Sequence, residues 1–274
     1  MSRFLIRQHF NLPVDPWAGL GIDTADSRRI AIMVRAAVRD RAFVSIAGPR
    51  GSGKTHAVSV ALHGQDVQLV ELFRLDRERL HMGDIATAIV RDLSDERPRR
   101  SGEARDGQVR RILGTTRGAV VVLIDDAHLL HGNTLRALKR LRELPWQGRR
   151  PLCGVVLVSQ RDATERIDEV RLRSTQFELE GLRPAEVAAA VGGVLGELIE
   201  PDALELLSRS PKVANWLDMQ FVVDQCLEET AAQDLQRVGV AVIERVVGKD
   251  RPVAMPPGRA PVVPLETNDQ GRVS

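Results

Sequence analysis

Lysine is scarce in this chain. Only Lys54, Lys139, Lys212 and Lys249 occur, leaving 35 of the 39 basic residues as arginine. Codon usage of a GC-rich genome gives such a bias, and so does phosphate-backbone binding, where the guanidinium fork suits phosphate oxygens. Cysteine is equally sparse. Cys153 and Cys226 lie far apart in apolar segments, which reads as two buried, reduced thiols and suits the cytoplasm. No Cys/His cluster has zinc-ligand spacing. No apolar run reaches the eighteen or so residues that a transmembrane helix needs, so no membrane association is expected. The start, "MSRFLIRQHF", has one short apolar patch and no small-residue cleavage site, so it reads as lacking a secretory signal. No internal repeat is found.

What is present is the mix of a soluble globular protein, 43% hydrophobic and 28% charged with a net charge of +2. At 274 residues the chain has room for one large domain, or a main domain and a smaller one. Short apolar runs alternate with helical patterns. Strands are expected at 42–48, 67–72, 119–126, 153–160 and 175–180, and helices at 55–63, 82–93 and 132–144. The runs "AVVVLIDD" and "CGVVLVSQ" are apolar without alternation, as in parallel strands covered on both faces. Five such strands separated by helices predict an α/β fold with a doubly wound five-stranded parallel sheet. Segment 94–107 is polar and reads as a loop. After Gly181 four helical segments follow with no strand pattern between them, a small all-α lid. The expected division is an N-terminal segment at 1–30, a nucleotide-binding α/β domain at 31–181, the all-α domain at 182–248 and a proline-rich, disordered tail at 249–274.

Residues 48–55, "GPRGSGKT", fit G-x-x-x-x-G-K-[ST] at every fixed position and sit between an apolar strand and a helix. Gly48, Pro49, Arg50, Gly51, Ser52 and Gly53 form the phosphate-cradling loop, where glycines let backbone N–H groups approach an anion. Lys54 is expected on the β- and γ-phosphates of ATP, with Thr55 supplying an oxygen to Mg²⁺ and His56 next along the helix. "VVVLIDD" places Asp125 at the tip of a buried strand, where it would hold Mg²⁺. Asp126 would orient the attacking water. It is one methylene shorter than glutamate, so slow hydrolysis is expected.

Together "GPRGSGKT", "LIDDAH", "VVLVSQRD" and the helical lid resemble the AAA+ ATPases, and within them the branch holding the transposition regulators MuB and TnsC and the secretion ATPase ExeA. "QHFNLPVDPW" (8–17) and "LEGLRPAEVAAAV" (179–191) are similar to the stretches that open the two domains of that branch. The resemblance spans roughly residues 8–230. It implies that Ser159 and Gln160 sit at the position that senses the γ-phosphate. It implies that Arg173, or else Arg171, is the arginine finger that reaches a neighbouring subunit. It also implies that Lys212 takes the place of a lid arginine near the nucleotide, although the glycine of that family stretch is missing here. Asp15, Pro16 and Trp17 line the adenine pocket or simply pack.

The same resemblance implies an ATP-dependent ring or filament on double-stranded DNA. Its candidate backbone contacts are Arg74, Arg77 and Arg79 in "RLDRERLH", and Arg136, Lys139, Arg140 and Arg142 in "RALKRLREL". The alternative for both stretches is a solvated, charge-paired helix face. The function implied is that of a DNA-transposition regulator with slow ATPase activity, which selects target DNA and recruits a transposase. A helicase-loader or IstB-type ATPase and an ExeA-type envelope ATPase are the alternatives.

Overall fold

The computed structural model describes residues 3–18, 20, 22–72 and 80–248. The candidate arginines Arg74, Arg77 and Arg79 and the tail at 249–274 lie outside the described residues. Five strands form one sheet: β1 (Phe43–Ala47), β2 (Val67–Glu71), β3 (Ala119–Ile124), β4 (Gly154–Ser159) and β5 (Thr175–Glu178). All pairings are parallel, in the order β2-β3-β4-β1-β5. The sheet therefore has the expected doubly wound form, and every strand's carboxyl end points the same way.

Both faces of the sheet are covered here, which is why β3 is apolar throughout and β4 carries no polar residue before Ser159 at its tip. Val120, Val122 and Ile124 face a core shared with α4 (Met82–Leu93), α5 (Gly102–Thr115) and α6 (Gly132–Arg142). Val121 and Leu123 face a second core, shared with α2 (Ala25–Arg39) and α3 (Lys54–Leu62). The twofold side-chain alternation of a strand thus serves two apolar layers instead of one.

Two elements differ from the sequence reading. The polar segment 94–107 is not all loop, because α5 begins at Gly102 with Ser101 capping it through the Ala104 N–H at 3.3 Å. Its first turns are solvent-exposed, and its apolar face begins only near Val109. Polar composition hid a helix that buries only its second half. The other is α2, whose Ala25–Ile30 stretch belongs to a helix continuing to Arg39. Its N-terminus carries a reciprocal box in which Ser27 N donates to Thr24 Oγ1 and Thr24 N to Ser27 Oγ.

A short helix, α7 (Asp168–Arg171), precedes β5, and after β5 the chain is helical: α8 (Pro184–Leu195), α9 (Pro201–Ser208), α10 (Trp216–Ala232) and α11 (Val240–Val247) surround their own core. The first helix, α1 (Arg3–His9), packs there too, with Ile6 fully buried and Phe10, Leu12 and Trp17 against the same cluster. Arg7 grips Asp224 of α10 through two nitrogens, at 2.9–3.1 Å.

The helical unit is tied to the sheet at Glu180–Leu182. The buried carboxylate of Asp26 accepts from Gly181 N at 2.9 Å and Glu180 N at 3.3 Å. Gly181 has φ +93°, and a Cβ there would stand 2.7 Å from the Ala214 carbonyl oxygen. Only glycine suits both demands.

Cys153 and Cys226 are free and buried, and burial pushes each thiol up to about 12. Among the described residues no helix is long and apolar enough to cross a membrane.

Candidate nucleotide site

The site grows from the carboxyl ends of β1, β3 and β4, which sheet order makes neighbours. Gly48 N donates to Ser159 O at 3.2 Å, tying the start of the loop to the tip of β4. The chain then turns through Gly51 (φ +81°) and Gly53 (φ +84°) and enters α3 at Lys54. The positive end of the α3 dipole faces the loop.

Lys54 is buried despite its charge. Its ammonium donates to Gly48 O (2.8 Å), Pro49 O (2.7 Å) and Ser52 Oγ (3.2 Å). Desolvation lowers its pKa, opposed by the nearby carboxylates of Asp125 and Asp126. Thr55 Oγ1 donates to Asp125 Oδ2 at 2.8 Å, so the two expected metal-binding oxygens are in contact. His56 is exposed beside them.

At the end of β3, Asp125 Oδ1 accepts from Asp126 N at 2.7 Å. Asp126 is left-handed (φ +50°, ψ +36°), an uncommon conformation for a non-glycine residue and one that aspartate tolerates better than most. The turn exposes its carboxylate. Behind it His128 Nδ1, a buried atom 3.9 Å from Asp126 Oδ1, has no hydrogen-bond partner among the described residues. Sequence reasoning did not single out His128, since a lone histidine after a strand carries no spacing signal.

Ser159, at the tip of β4, is buried, and its hydroxyl donates to the Arg161 carbonyl; Gln160 is exposed. The other expected residues lie further out. Arg173 pairs with Glu143 at 3.1 Å and Arg171 with Asp168 at 3.5 Å, both arginines about half exposed. Lys212 donates to the Val247 carbonyl at the end of α11. Arg136 and Lys139 share one carboxylate, Glu169, at 2.6 and 2.9 Å, and these two bonds hold it below the usual carboxylate range. Arg140 is exposed, and Arg142 Nε donates to the Arg41 carbonyl. Trp17 N donates to Asp15 Oδ1, and the Trp17 ring packs with the helical core, its buried Nε1 lacking a partner among the described residues.

The helical unit also reaches the loop by residues not anticipated. Asn215 caps α10, and its Nδ2 donates to Arg50 O at 2.7 Å; Leu217 N donates to Gly51 O at 3.2 Å. The Trp216 ring sits against Gly53, 3.1 Å from where a Cβ would be. The visible clue in "VANWL" is an asparagine of N-cap type, which marks a helix start but not its neighbour.

The donor set suits Mg²⁺. Thr55 Oγ1 and the Asp125 carboxylate are hard oxygens in contact, and no group of three or more His, Cys, Asp or Glu gathers among the described residues. Mg²⁺ is commonly held by one or two protein oxygens, with phosphates and water completing its shell.

Residues 37–167 match the family model described as an AAA domain, a span that includes the loop, Asp125, Asp126, Ser159 and Gln160. Three solved structures share the fold at low identity. Cdc6p from Pyrobaculum aerophilum is 13% identical with a TM-score of 0.60, over 83% of this chain and 68% of that one. The ORC2 protein of Aeropyrum pernix, in ADPNP-ADP complexes, is 14% identical with a TM-score of 0.57, over 86% and 71%. The ORC1 protein of the same organism, in complex with DNA, is 15% identical with a TM-score of 0.55, over 85% and 68%. No curated protein matches the chain. These findings show that the chain has the AAA+ P-loop fold.

Proposed function

We propose that this chain is an ATP-hydrolysing regulator of DNA transposition, which assembles on double-stranded DNA, selects the target and engages a transposase. The observation that carries the ATPase part is the convergence of Lys54, Thr55, Asp125, Asp126 and Ser159 at three adjacent strand tips. Lys54 exchanges its loop acceptors for the β- and γ-phosphate oxygens, and the Gly48–Gly53 amides with the α3 N-terminus take the remaining charge. Thr55 and Asp125 would hold Mg²⁺, which when bound neutralises phosphate charge. Asp126 orients the attacking water, and His128, whose Nδ1 lies 3.9 Å behind it, is placed to steady that short carboxylate. Ser159 and Gln160 stand at the γ-phosphate end, and Arg173 leaves Glu143 to serve a neighbouring subunit's site.

The DNA part is supported by the arginine-rich composition and by the DNA-bound structure among those sharing the fold. The transposition part is supported by the two resembling stretches at 8–17 and 179–191. The two stretches share one core, with Phe10, Leu12 and Trp17 of the first packed against the cluster that holds Val187, Ala190 and Val191 of the second.

Electron microscopy of the full chain with duplex DNA, with and without ATP, tests the assembly. Rings or filaments on DNA only with ATP are expected. Monomers on DNA under both conditions would overturn the reading. A strand-transfer assay with a transposase then separates transposition from helicase loading, since only the former raises integration near the bound protein.

A further inference from the structure

We propose that an arginine-lined recess at the amino-terminal edge of the sheet binds the backbone phosphates of duplex nucleic acid. This inference rests on the DNA-binding reading above and places the contact at the end of the molecule opposite the nucleotide site. The recess has a volume of about 600 Å³ and is lined by Arg39, Arg41, Arg117 and Arg149, with Thr115 and Thr116 beside them. Arg41 lies two residues before β1 and Arg117 two before β3, so the strands start here, and their tips at Ala47 and Ile124 lie at the far end.

What marks this place is several guanidinium groups converging on one cavity with little acidic charge to offset them. Many other arginines meet carboxylates, as Arg28 does Asp23, Arg111 does Glu96 and Arg209 does Glu205. Among the described residues of the recess, Arg39 alone has such a partner, its neighbour Asp40 at 2.9 Å. Among the described residues no carboxylate pairs with Arg41, Arg117 or Arg149. Two of these are oriented by neutral main-chain oxygens, Arg41 Nη1 by Pro151 O at 3.2 Å and Arg149 Nη2 by Gly114 O. Such bonds fix a guanidinium without cancelling its charge.

The site is also built. Arg41 is held in the left-handed region at φ +51°, where an arginine is disfavoured, and Arg142 Nε clamps its carbonyl at 2.6 Å. Gly118, also at positive φ, bends the chain from Arg117 into β3. Oriented, uncompensated guanidinium groups match phosphate oxygens. No aromatic ring lines the recess, so nothing there stacks a base, and contact with the backbone is the recognition it suits. By contrast Arg136 and Lys139, expected from sequence to touch DNA, are committed to Glu169.

The test is the salt dependence of affinity for fluorescently labelled duplexes of two unrelated sequences, measured on the full chain with ATP by anisotropy. Arg117→Ala removes an exposed guanidinium with no ion pair. Arg41→Gly removes a second while suiting the backbone at that position, so folding is preserved. Each variant is expected to bind both duplexes more weakly, and to lower the slope of log affinity against log salt by about one. ATP turnover without DNA should stay at the parent rate. Arg209→Ala, whose guanidinium is paired with Glu205, should bind as the parent does. If the parent binds duplex and both variants keep its affinity and slope, the recess is not the contact, while the DNA-binding reading stands. If the parent binds no duplex, that reading falls and this one with it.

Discussion

Asp126 combines a left-handed backbone, an exposed carboxylate and a histidine Nδ1, itself buried, 3.9 Å behind it. If it orients the attacking water, Asp126→Asn should leave ATP affinity unchanged and lower turnover about a hundredfold or more, as loss of a general base does. Equal turnover would remove Asp126 from the mechanism. Asp126→Glu should turn over faster than the parent if reach limits the rate. His128→Phe should lower turnover with ATP affinity intact, while His128→Asn, which keeps a donor near Nδ1, should restore part of it. The two thiols give a separate expectation. With both pushed up to about 12, a disulfide reagent at pH 8 should find no reactive thiol in the folded chain and two in denaturant. The unfolded thiols ionise near the ordinary value while the folded ones stay neutral. Stability should therefore fall as pH rises above that value. At this scale the loop and both aspartates were legible, because glycine spacing and an acidic strand end are local patterns. His128 and Asn215 were not, because their meaning is a spatial neighbour.

Among the elements, the junction between α2, β5 and the helical unit governs how the lid sits over the loop. The Asp26 carboxylate, buried, holds two backbone N–H groups there. Asp26→Ala should cost roughly 2–3 kcal/mol, the scale for a hydrogen-bonded charge whose partners are left unsatisfied. Urea unfolding would measure it, and an unchanged midpoint would show that the junction bears no load. The inner strands β1, β3 and β4 could be read from their apolar runs, since covering both faces of a parallel sheet removes alternation. The first turns of α5 could not, because a helix that buries only its second half leaves no periodicity in its first. The membership of α1 in the far helical core was equally hidden, since Ile6 and Arg7 find partners more than two hundred residues away.

For the whole molecule, the proposed assembly would rest on a residue that serves a site other than its own. Arg173 is half exposed and paired to Glu143, not to any group of its own nucleotide site. Arg173→Ala should preserve ATP binding by the monomer, reduce turnover by roughly a thousandfold if it acts as a finger, and shrink the ATP-dependent species seen by sedimentation. A full-sized assembly with parental turnover would shift the role to Arg171. Beneath these readings lies one claim, that the Gly48–Thr55 loop and its two aspartates form an ATP-hydrolysing centre. Phosphate release by the full chain in ATP and Mg²⁺, compared between the parent and Lys54→Ala, addresses it most directly. Lys54 is the loop's only lysine, so its loss should weaken ATP binding by roughly a hundredfold or more and reduce release to background. Equal release by the two proteins would contradict the account.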